Sequence, residues 1–192
     1  MKKFTLLVLM LCALAMTAGP ALAVDLSFAP PDQQVNPGDP VSVDLVVSGL
    51  NTSDLAAFII DFTYNPSILE IDNVTLGTGL GAGSTQFIDY SIPGDIYLLE
   101  IADFSTDLSG QPDSFILAML QFTALDILGT IDLQFIQADL SDEFGRDITK
   151  TVVNGSVTVA PVPEPATLLL LGVGVLGVAG LGRRKLRRKH EA

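Results

Sequence analysis

The strongest structural constraint in this sequence is an alternation of apolar and other residues with a period of two. It is clearest in VSVDLVV at 41–47 and in FIIDFTY at 58–64. The apolar sides comprise Val41, Val43, Leu45 and Val47 in the first segment and Phe58, Ile60, Phe62 and Tyr64 in the second. Because successive side chains of a β-strand point to opposite faces of the sheet, each segment predicts a strand that buries one face.

Further segments extend this pattern, at 95–104, 114–124, 130–140 and 155–159. Turn-forming Pro, Gly, Asn and Asp residues separate the segments, and no long stretch between them follows the 3.6-residue period of a helix. Short strands separated by turns predict an all-β fold, an antiparallel β-sandwich or barrel. The segment SFILAMLQFTA at 114–124 is apolar on both faces, so we expect it at the centre of a sheet.

The N-terminal segment has the three parts of a secretory signal peptide. Two lysines precede an apolar run from Phe4 to Met16, and Ala21 and Ala23 form an A-x-A cleavage site. The run is shorter than the roughly 20 residues that a membrane helix needs. We therefore predict a signal peptide at 1–23, cleavage after Ala23 and an exported mature chain.

A second apolar segment, Ala166–Leu181, lies near the C-terminus and is followed at once by a basic tail. We predict a transmembrane helix over 166–182, because its glycines are better tolerated in lipid than in a soluble helix. The basic residues of the tail at 183–189 are Arg183, Arg184, Lys185, Arg187, Arg188 and Lys189. Such a cluster stays on the cytoplasmic side of a membrane, so it is expected to stop export of the C-terminus.

The motif Pro163, Glu164 and Pro165 precedes this helix and tail. In that order, the segment 161–189 resembles the PEP-CTERM sorting signal of Gram-negative bacteria that make exopolysaccharide. The resemblance implies that an exosortase, a membrane-embedded protease of transpeptidase type, recognises the signal and removes the helix. It also implies an inner-membrane-anchored precursor and a mature protein at the cell surface or in the extracellular matrix. A plain C-terminal anchor with a proline-rich spacer is the alternative.

The region between the two signals, residues 24–160, is strongly acidic. Of the 22 Asp and Glu residues in the chain, only Glu164 and Glu191 lie outside it, which leaves 20 acidic residues against Arg146 and Lys150 and a formal charge of −18. A region this negative repels phosphates, so we expect no nucleic-acid partner. The same charge suits divalent cations, or solubility outside the cell.

This region also carries turn and strand motifs of a known family. Pro37-Gly38-Asp39 leads into an alternating strand, and Gly49-Leu50 follows it. Tyr64-Asn65-Pro66 ends the next strand, and Leu69-Glu70-Ile71 begins another. In this order the motifs resemble the opening of a cohesin-type domain, and 142–159 resembles the last hairpin of that family. The resemblance implies a jelly-roll β-sandwich of about nine strands, related to certain carbohydrate-binding modules.

Residue type excludes the common catalytic sites that depend on histidine or cysteine. The only histidine, His190, and the only cysteine, Cys12, lie outside the 24–160 region, which excludes Ser-His-Asp, Cys-His and ordinary zinc chemistry. The loop GTGLGAGST at 77–85 lacks a P-loop lysine and predicts a flexible connection. A carboxylate pair for glycoside hydrolysis stays open, although solvated acidic loops are the better interpretation. The candidate carboxylates are Glu100, Asp103, Asp107 and Asp113. We therefore predict no enzyme.

Side-chain chemistry suggests two candidate ligand sites. The segment DLSDEFGRD at 139–147 offers hard oxygen donors beside a glycine turn, which suits calcium, with a plain acidic β-turn as the alternative. The donors are Asp139, Asp142, Glu143 and Asp147. Tyr90 and Tyr97 are candidate ligand-facing rings for a sugar, although the chain contains no Trp.

The sequence thus predicts an exported, non-catalytic binding or adhesion module at the cell surface or in the extracellular matrix. Association with a surface protein, as cohesins associate with dockerins, is the favoured function. The alternatives are binding of exopolysaccharide, and a passive matrix protein or minor glycoside hydrolase.

Overall fold

The alternating segments form β-strands in a computed structural model, which describes residues 23–51, 53–161 and 173. Eleven strands occur in this part of the chain. They are β1 (Val24–Ala29), β2 (Asp32–Val35), β3 (Pro40–Ser48), β4 (Ala57–Thr63), β5 (Leu69–Leu76), β6 (Thr85–Asp89), β7 (Asp95–Ile101), β8 (Ser114–Ala124), β9 (Gly129–Ser141), β10 (Lys150–Val153) and β11 (Gly155–Val159).

The strands form two sheets whose buried faces share one core. One sheet has five strands in the order β10-β1-β3-β8-β5, and the other has six in the order β2-β11-β9-β4-β7-β6. The predicted all-β sandwich is therefore confirmed. The segment 114–124 forms β8, which pairs with β3 on one side and β5 on the other, as its apolar sequence predicted. Its outward residues Ile116 and Met119 are nevertheless exposed.

The core is built from the apolar sides of the alternating strands. Every residue predicted to face inwards on β3 and β4 is buried, and so is Tyr64 just beyond β4. An aromatic cluster joins the two sheets: Phe28 of β1 stacks on Phe135 of β9 at a centroid distance of 4.6 Å and meets Phe62 of β4 edge-on at 5.2 Å. Such ring pairs stabilise a core beyond the burial of their area. All strand pairs and the buried core lie between Val24 and Val159 in the described chain, so we expect this region to fold by itself.

The strand count exceeds the expected nine because both terminal segments switch sheets. β1 belongs to the five-stranded sheet, and after Pro30 and Pro31, which cannot donate ladder hydrogen bonds, β2 joins the other. At the other end, β10 belongs to the five-stranded sheet and β11 to the six-stranded sheet, and the chain crosses between them at Asn154. The two pairs that result, β1 with β10 and β2 with β11, are parallel. These two pairs depart from the antiparallel arrangement predicted for the whole sandwich.

Both predicted targeting segments lie almost wholly outside the described residues. The signal peptide at 1–23 is described only at Ala23, and the sorting segment at 161–189 only at positions 161 and 173. Among the described residues, no helix is long and apolar enough to cross a membrane. The predicted helix at 166–182 and the basic tail remain predictions from the sequence.

The glycine-rich loop after β5 is anchored, in contrast to the flexible connection expected from its sequence. Leu80 is fully buried, and the Gly77 amide donates a hydrogen bond to the Leu117 carbonyl oxygen at 2.8 Å. The Gln111 side-chain amide donates to the carbonyl oxygens of Gly79 and Leu55, both at 3.0 Å. The side chain of Gln111 therefore holds together its own loop, the glycine-rich loop and the segment just before β4.

The close packing at Gly77 generates a stability prediction. A Cβ added there would lie 2.0 Å from the Ile116 carbonyl oxygen, whereas a Cβ at Gly110 would meet nothing within 4 Å. We expect Gly77→Ala to lower the free energy of unfolding by about 1–3 kcal/mol, because strand backbone must move. Gly110→Ala should change it by less than about 0.5 kcal/mol. Urea unfolding of residues 24–160 measures both, and equal effects would show that Gly77 is not sterically required.

Candidate protein-binding face

The outward face of the six-stranded sheet carries ordered rows of side chains across β9, β4, β7 and β6. The strand register places in successive rows Ser141–Ala57–Ile101–Thr85, Asp139–Ile59–Leu99–Phe87 and Gln137–Asp61–Tyr97–Asp89. These residues alternate along their strands with buried core residues, for example Phe58, Ile60 and Phe62 on β4. They therefore point away from the core. We call these three rows the outer face.

The centre of the outer face is apolar. Ile59 and Leu99 lie side by side and half-buried, while Phe87 and Ile101 are 53% and 43% exposed. Phe87 also meets the ring of Tyr97 edge-on, at a centroid distance of 6.0 Å. A contiguous apolar patch with a polar rim is typical of a protein-binding surface. Acidic residues supply the rim here, namely Asp61, Asp89, Asp95 and Asp139.

The apolar patch continues onto the end of the sandwich. Phe104, in the loop after β7, is fully exposed at 105% of its reference area. It lines a cavity of about 250 Å³ together with Ala57 and Ile101, both from the outer face. Phenylalanine is among the residues enriched at protein interfaces, so the exposed Phe104 extends the apolar surface available to a partner.

A pair of carboxyl groups interrupts the apolar surface. Asp61 on β4 lies next to Asp95, which opens β7 opposite Thr63. Burial, and then contact and repulsion from Asp95, raise the pKa of Asp61 above its usual value. Asp61 also precedes a register shift between β4 and β9, in which Ile136 is the extra residue. Such bulges re-aim side chains and are common beside functional sites.

The four candidate calcium ligands at 139–147 are not brought together as a metal site. Within the described chain, no group of three or more His, Cys, Asp or Glu side chains is arranged to hold a metal ion. Asp142 instead closes the turn: its Oδ1 accepts hydrogen bonds from the backbone amides of Phe144 at 2.9 Å and Arg146 at 2.8 Å. Glu143 and Asp147 are exposed and line a cavity of about 590 Å³ with Asp142.

Asp139 lies apart from that turn, on β9, and has its own partners. It accepts hydrogen bonds from the side chains of Gln137 at 2.6 Å and Lys150 at 3.4 Å. These contacts, that of Gln137 first, hold the pKa of Asp139 below its usual value. The geometry thus supports the alternative interpretation of 139–147 as an acidic turn, and calcium binding gains no support from it.

The candidate glycosidase carboxylates hold loops together. Glu100 is only 1% exposed and accepts hydrogen bonds from Ser84 Oγ at 2.6 Å and Gln86 Nε2 at 2.8 Å. Asp103 and Asp107 accept the backbone amides of Ser105 and Ser109, at 2.8 and 3.0 Å. Asp113 accepts the Asn51 amide at 2.6 Å. Each carboxylate is therefore occupied by turn or strand contacts.

The two tyrosines proposed as sugar platforms occupy different settings. Tyr97 lies within the outer face and has Phe87 against it, while Tyr90 follows β6 and is 39% exposed. Neither lines any of the cavities described here. The apolar residues Ile59, Phe87, Leu99 and Phe104 were not singled out from the sequence as functional. The doublets Ile59-Ile60 and Leu98-Leu99 were the available signal, since they place apolar residues on both faces of a strand.

Comparison with known proteins agrees with this architecture. The cohesin domain model matches residues 26–159, and the model of the PEP-CTERM protein-sorting motif matches residues 161–188. No curated protein sequence matched the chain.

Solved structures with similar folds include several cohesins. CaCohA2 from Clostridium acetobutylicum is 25% identical, with a TM-score of 0.60 over 72% of this chain and 91% of that one. The sixth cohesin of Acetivibrio cellulolyticus scaffoldin B, solved in complex with a Cel5 dockerin mutant, is 21% identical, with a TM-score of 0.63 over 72% of this chain and 99% of that one. A non-cellulosomal cohesin from the archaeon Archaeoglobus fulgidus is 17% identical, with a TM-score of 0.53 over 72% and 91% of the two chains.

The two-sheet sandwich and its sorting motif define an exported, non-catalytic binding module whose precursor is anchored at its C-terminus and processed for the cell surface. The chain belongs to the cohesin family.

The hydrogen bonds of Asp142 provide a test of the acidic turn. Asp142→Ala removes the acceptor for two backbone amides, so it should lower the free energy of unfolding by about 1–2 kcal/mol. Asp142→Asn keeps an oxygen at this position and should lose much less. Both effects should be the same in calcium and in chelator.

A calcium site would behave differently in the same melting experiment. Calcium bound only by the folded state would stabilise it by RT ln(1 + [L]/Kd), about 2.7 kcal/mol at a hundredfold excess over Kd. A calcium-dependent rise of that kind, abolished by Asp142→Asn, would contradict the interpretation of a simple turn.

Proposed function

We propose that the domain at 24–160 docks a protein partner through its outer face, at the cell surface or in the extracellular matrix. The observation that carries this proposal is the apolar centre formed by Ile59, Leu99, Phe87 and Ile101, which extends to the fully exposed Phe104. Burial of such a surface is the main favourable contribution to protein association.

The chemistry of the rim indicates what kind of partner fits. The domain carries a formal charge of −18, and four aspartates surround the apolar centre. A partner with an apolar patch flanked by Lys or Arg would match both features. Complementary charges would also accelerate encounter and discourage acidic competitors.

A protein partner accounts for the outer face better than a polysaccharide does. Carbohydrate sites need flat, accessible aromatic rings, and here Phe87 meets Tyr97 edge-on amid aliphatic side chains. Several structurally similar cohesins were solved as complexes with dockerins, which supports a dockerin-like partner for this chain. Exopolysaccharide binding is the competing outcome in the test below.

Matched substitutions on the two sheets test the proposed face. Ile101 on the outer face and Met119 on the opposite sheet are 43% and 41% exposed, so lysine at either position should leave folding nearly unchanged. The domain, the Ile101→Lys variant and the Met119→Lys variant are each immobilised and exposed to the producer's secreted proteins and its polysaccharide. We expect a protein captured by the wild type and Met119→Lys but held at least about tenfold more weakly by Ile101→Lys, because a desolvated charge would enter the interface.

The two competing results are distinguishable in that experiment. If the wild type and the Ile101→Lys variant retain polysaccharide equally well, carbohydrate binding would be the better-supported function and the proposed protein docking would be contradicted. Capture of a protein that is weakened equally by both variants, or by neither, would remove the outer face from consideration.

The sorting motif leads to a separate prediction about processing. If an exosortase recognises Pro163-Glu164-Pro165, the apolar and basic segments should be absent from mature protein. The intact mass of protein recovered from the cell surface should correspond to a chain that begins at Val24 and ends near residue 165. Replacement of Glu164 by Gln should cause the precursor to accumulate in the membrane. Mature protein that retains the tail at 183–189 would instead indicate a plain anchor.

A further inference from the structure

Two carboxyl groups lie in contact on the outer face. The Asp61 side chain lies against that of Asp95, and burial together with this contact raises the pKa of Asp61. Asp61 as a whole is half-buried, but its Oδ1 is shielded from solvent and has no hydrogen-bond partner. Buried polar atoms in folded proteins are normally paired, so this oxygen requires an explanation.

No cation within the domain neutralises the pair. The only Lys or Arg residues between positions 24 and 160 are Arg146 and Lys150. Arg146 lies 4.0 Å from Asp142, and Lys150 lies 3.4 Å from Asp139. The register places Tyr97 opposite Asp61, and the charged residues at nearby positions are acidic: Asp139 in the next row of β9 and Asp89 of β6 in the same row as Asp61. A positive charge beside the pair would therefore have to be supplied by a binding partner.

We propose that the partner inserts one cationic side chain, a lysine or arginine, between Asp61 and Asp95, with the apolar centre of the outer face packed around it. This inference rests on the function proposed above and specifies the chemistry of the partner. Arginine suits the site especially well. Its planar guanidinium group can hydrogen-bond two carboxylates at once, while the aliphatic part of its side chain covers apolar surface.

The carboxyl pair lowers the stability of the free domain at neutral pH. Because the pKa of Asp61 is raised in the folded state, the folded state holds a proton at pH values where the unfolded chain has lost it. Through Asp61, stability therefore increases as the pH falls through that range, and at neutral pH the ionised Asp61 makes the free domain less stable. The affinity for a cationic side chain decreases as the pH falls, because a protonated carboxyl group is neutral and no longer attracts the cation.

Peptide display provides a probe of defined chemistry. A library of random 12-residue peptides is panned on residues 24–160 at pH 7, with the Ile101→Lys variant as counter-selection. The selected peptides are synthesised, and their affinities are measured by fluorescence polarisation for the wild type, Asp61→Asn, Asp95→Asn and Asp44→Asn. Asp44 is the matched control, because it is a half-buried aspartate on the outward side of the opposite sheet.

We expect the selected peptides to share a Lys or Arg flanked by apolar residues. Asp61→Asn and Asp95→Asn should each weaken binding by about tenfold or more, whereas Asp44→Asn should change it by less than about twofold. Replacing the shared cation of the peptide with Gln should weaken binding similarly, and combining this change with Asp61→Asn should cost little more. Asp61→Asn should also raise the melting temperature of the free domain at pH 7.

The outcomes separate this inference from the proposed function. Peptides that need Ile101 but lack a common cation, or that bind Asp61→Asn and Asp44→Asn equally, would overturn the inference and leave the docking face in place. Failure to obtain any peptide that distinguishes the wild type from Ile101→Lys would count against the docking face itself. An Asp61→Asn domain that melts below the wild type would show that the pair is not strained, and would also overturn the inference.

Discussion

The contact between the two inner sheet faces determines where every other feature of this domain lies. The aromatic cluster of Phe28, Phe62 and Phe135 joins β1 of one sheet to β4 and β9 of the other. Residues 24–160 contain no cysteine, and their described part holds no candidate metal group, so this apolar packing is the main source of stabilising free energy. Because the inward positions of β4 are fixed by the core, its outward positions are fixed too, and they include Ile59 and Asp61. The position of the outer face is thus a geometric consequence of the core.

Most acidic residues whose contacts are described serve local structure. Asp103, Asp107 and Asp142 each accept backbone amides within a turn, and Glu100 ties β7 to β6 and the loop that leads into it. A carboxylate that already accepts two hydrogen bonds has less capacity to bind a metal or to act in catalysis. Asp61 is the exception, since its Oδ1 has no partner. The acidic composition alone therefore does not show which carboxylates are available to a ligand; the contacts of the individual side chains do.

The sequence predicted the fold more completely than the site. Alternation in segments such as 41–47 and 58–64 reports directly which side of a strand is buried, and the buried residues match that expectation. The sheet switches at Pro30-Pro31 and Asn154 depend on which sheet the neighbouring segment joins, which periodicity does not encode. The outer face required the register of four strands that are distant in sequence, so Phe87 could not be placed beside Leu99 in advance. The sequence left both a calcium site and a plain acidic turn open at 139–147, because spacing alone cannot show that Asp142 accepts hydrogen bonds from backbone amides.

The position of β11 determines how mechanical load enters the domain. This strand lies between β2 and β9 in the six-stranded sheet and ends at Val159, just before the sorting segment. A pull on the C-terminal end acts along β11, so its hydrogen bonds to both neighbours bear the force together in shear and cannot open one at a time. The outer face belongs to the same sheet, which continues from β9 to β4, β7 and β6. If a partner binds the outer face as proposed, tension between that partner and the C-terminal end would pass through one continuous hydrogen-bonded sheet without crossing the core.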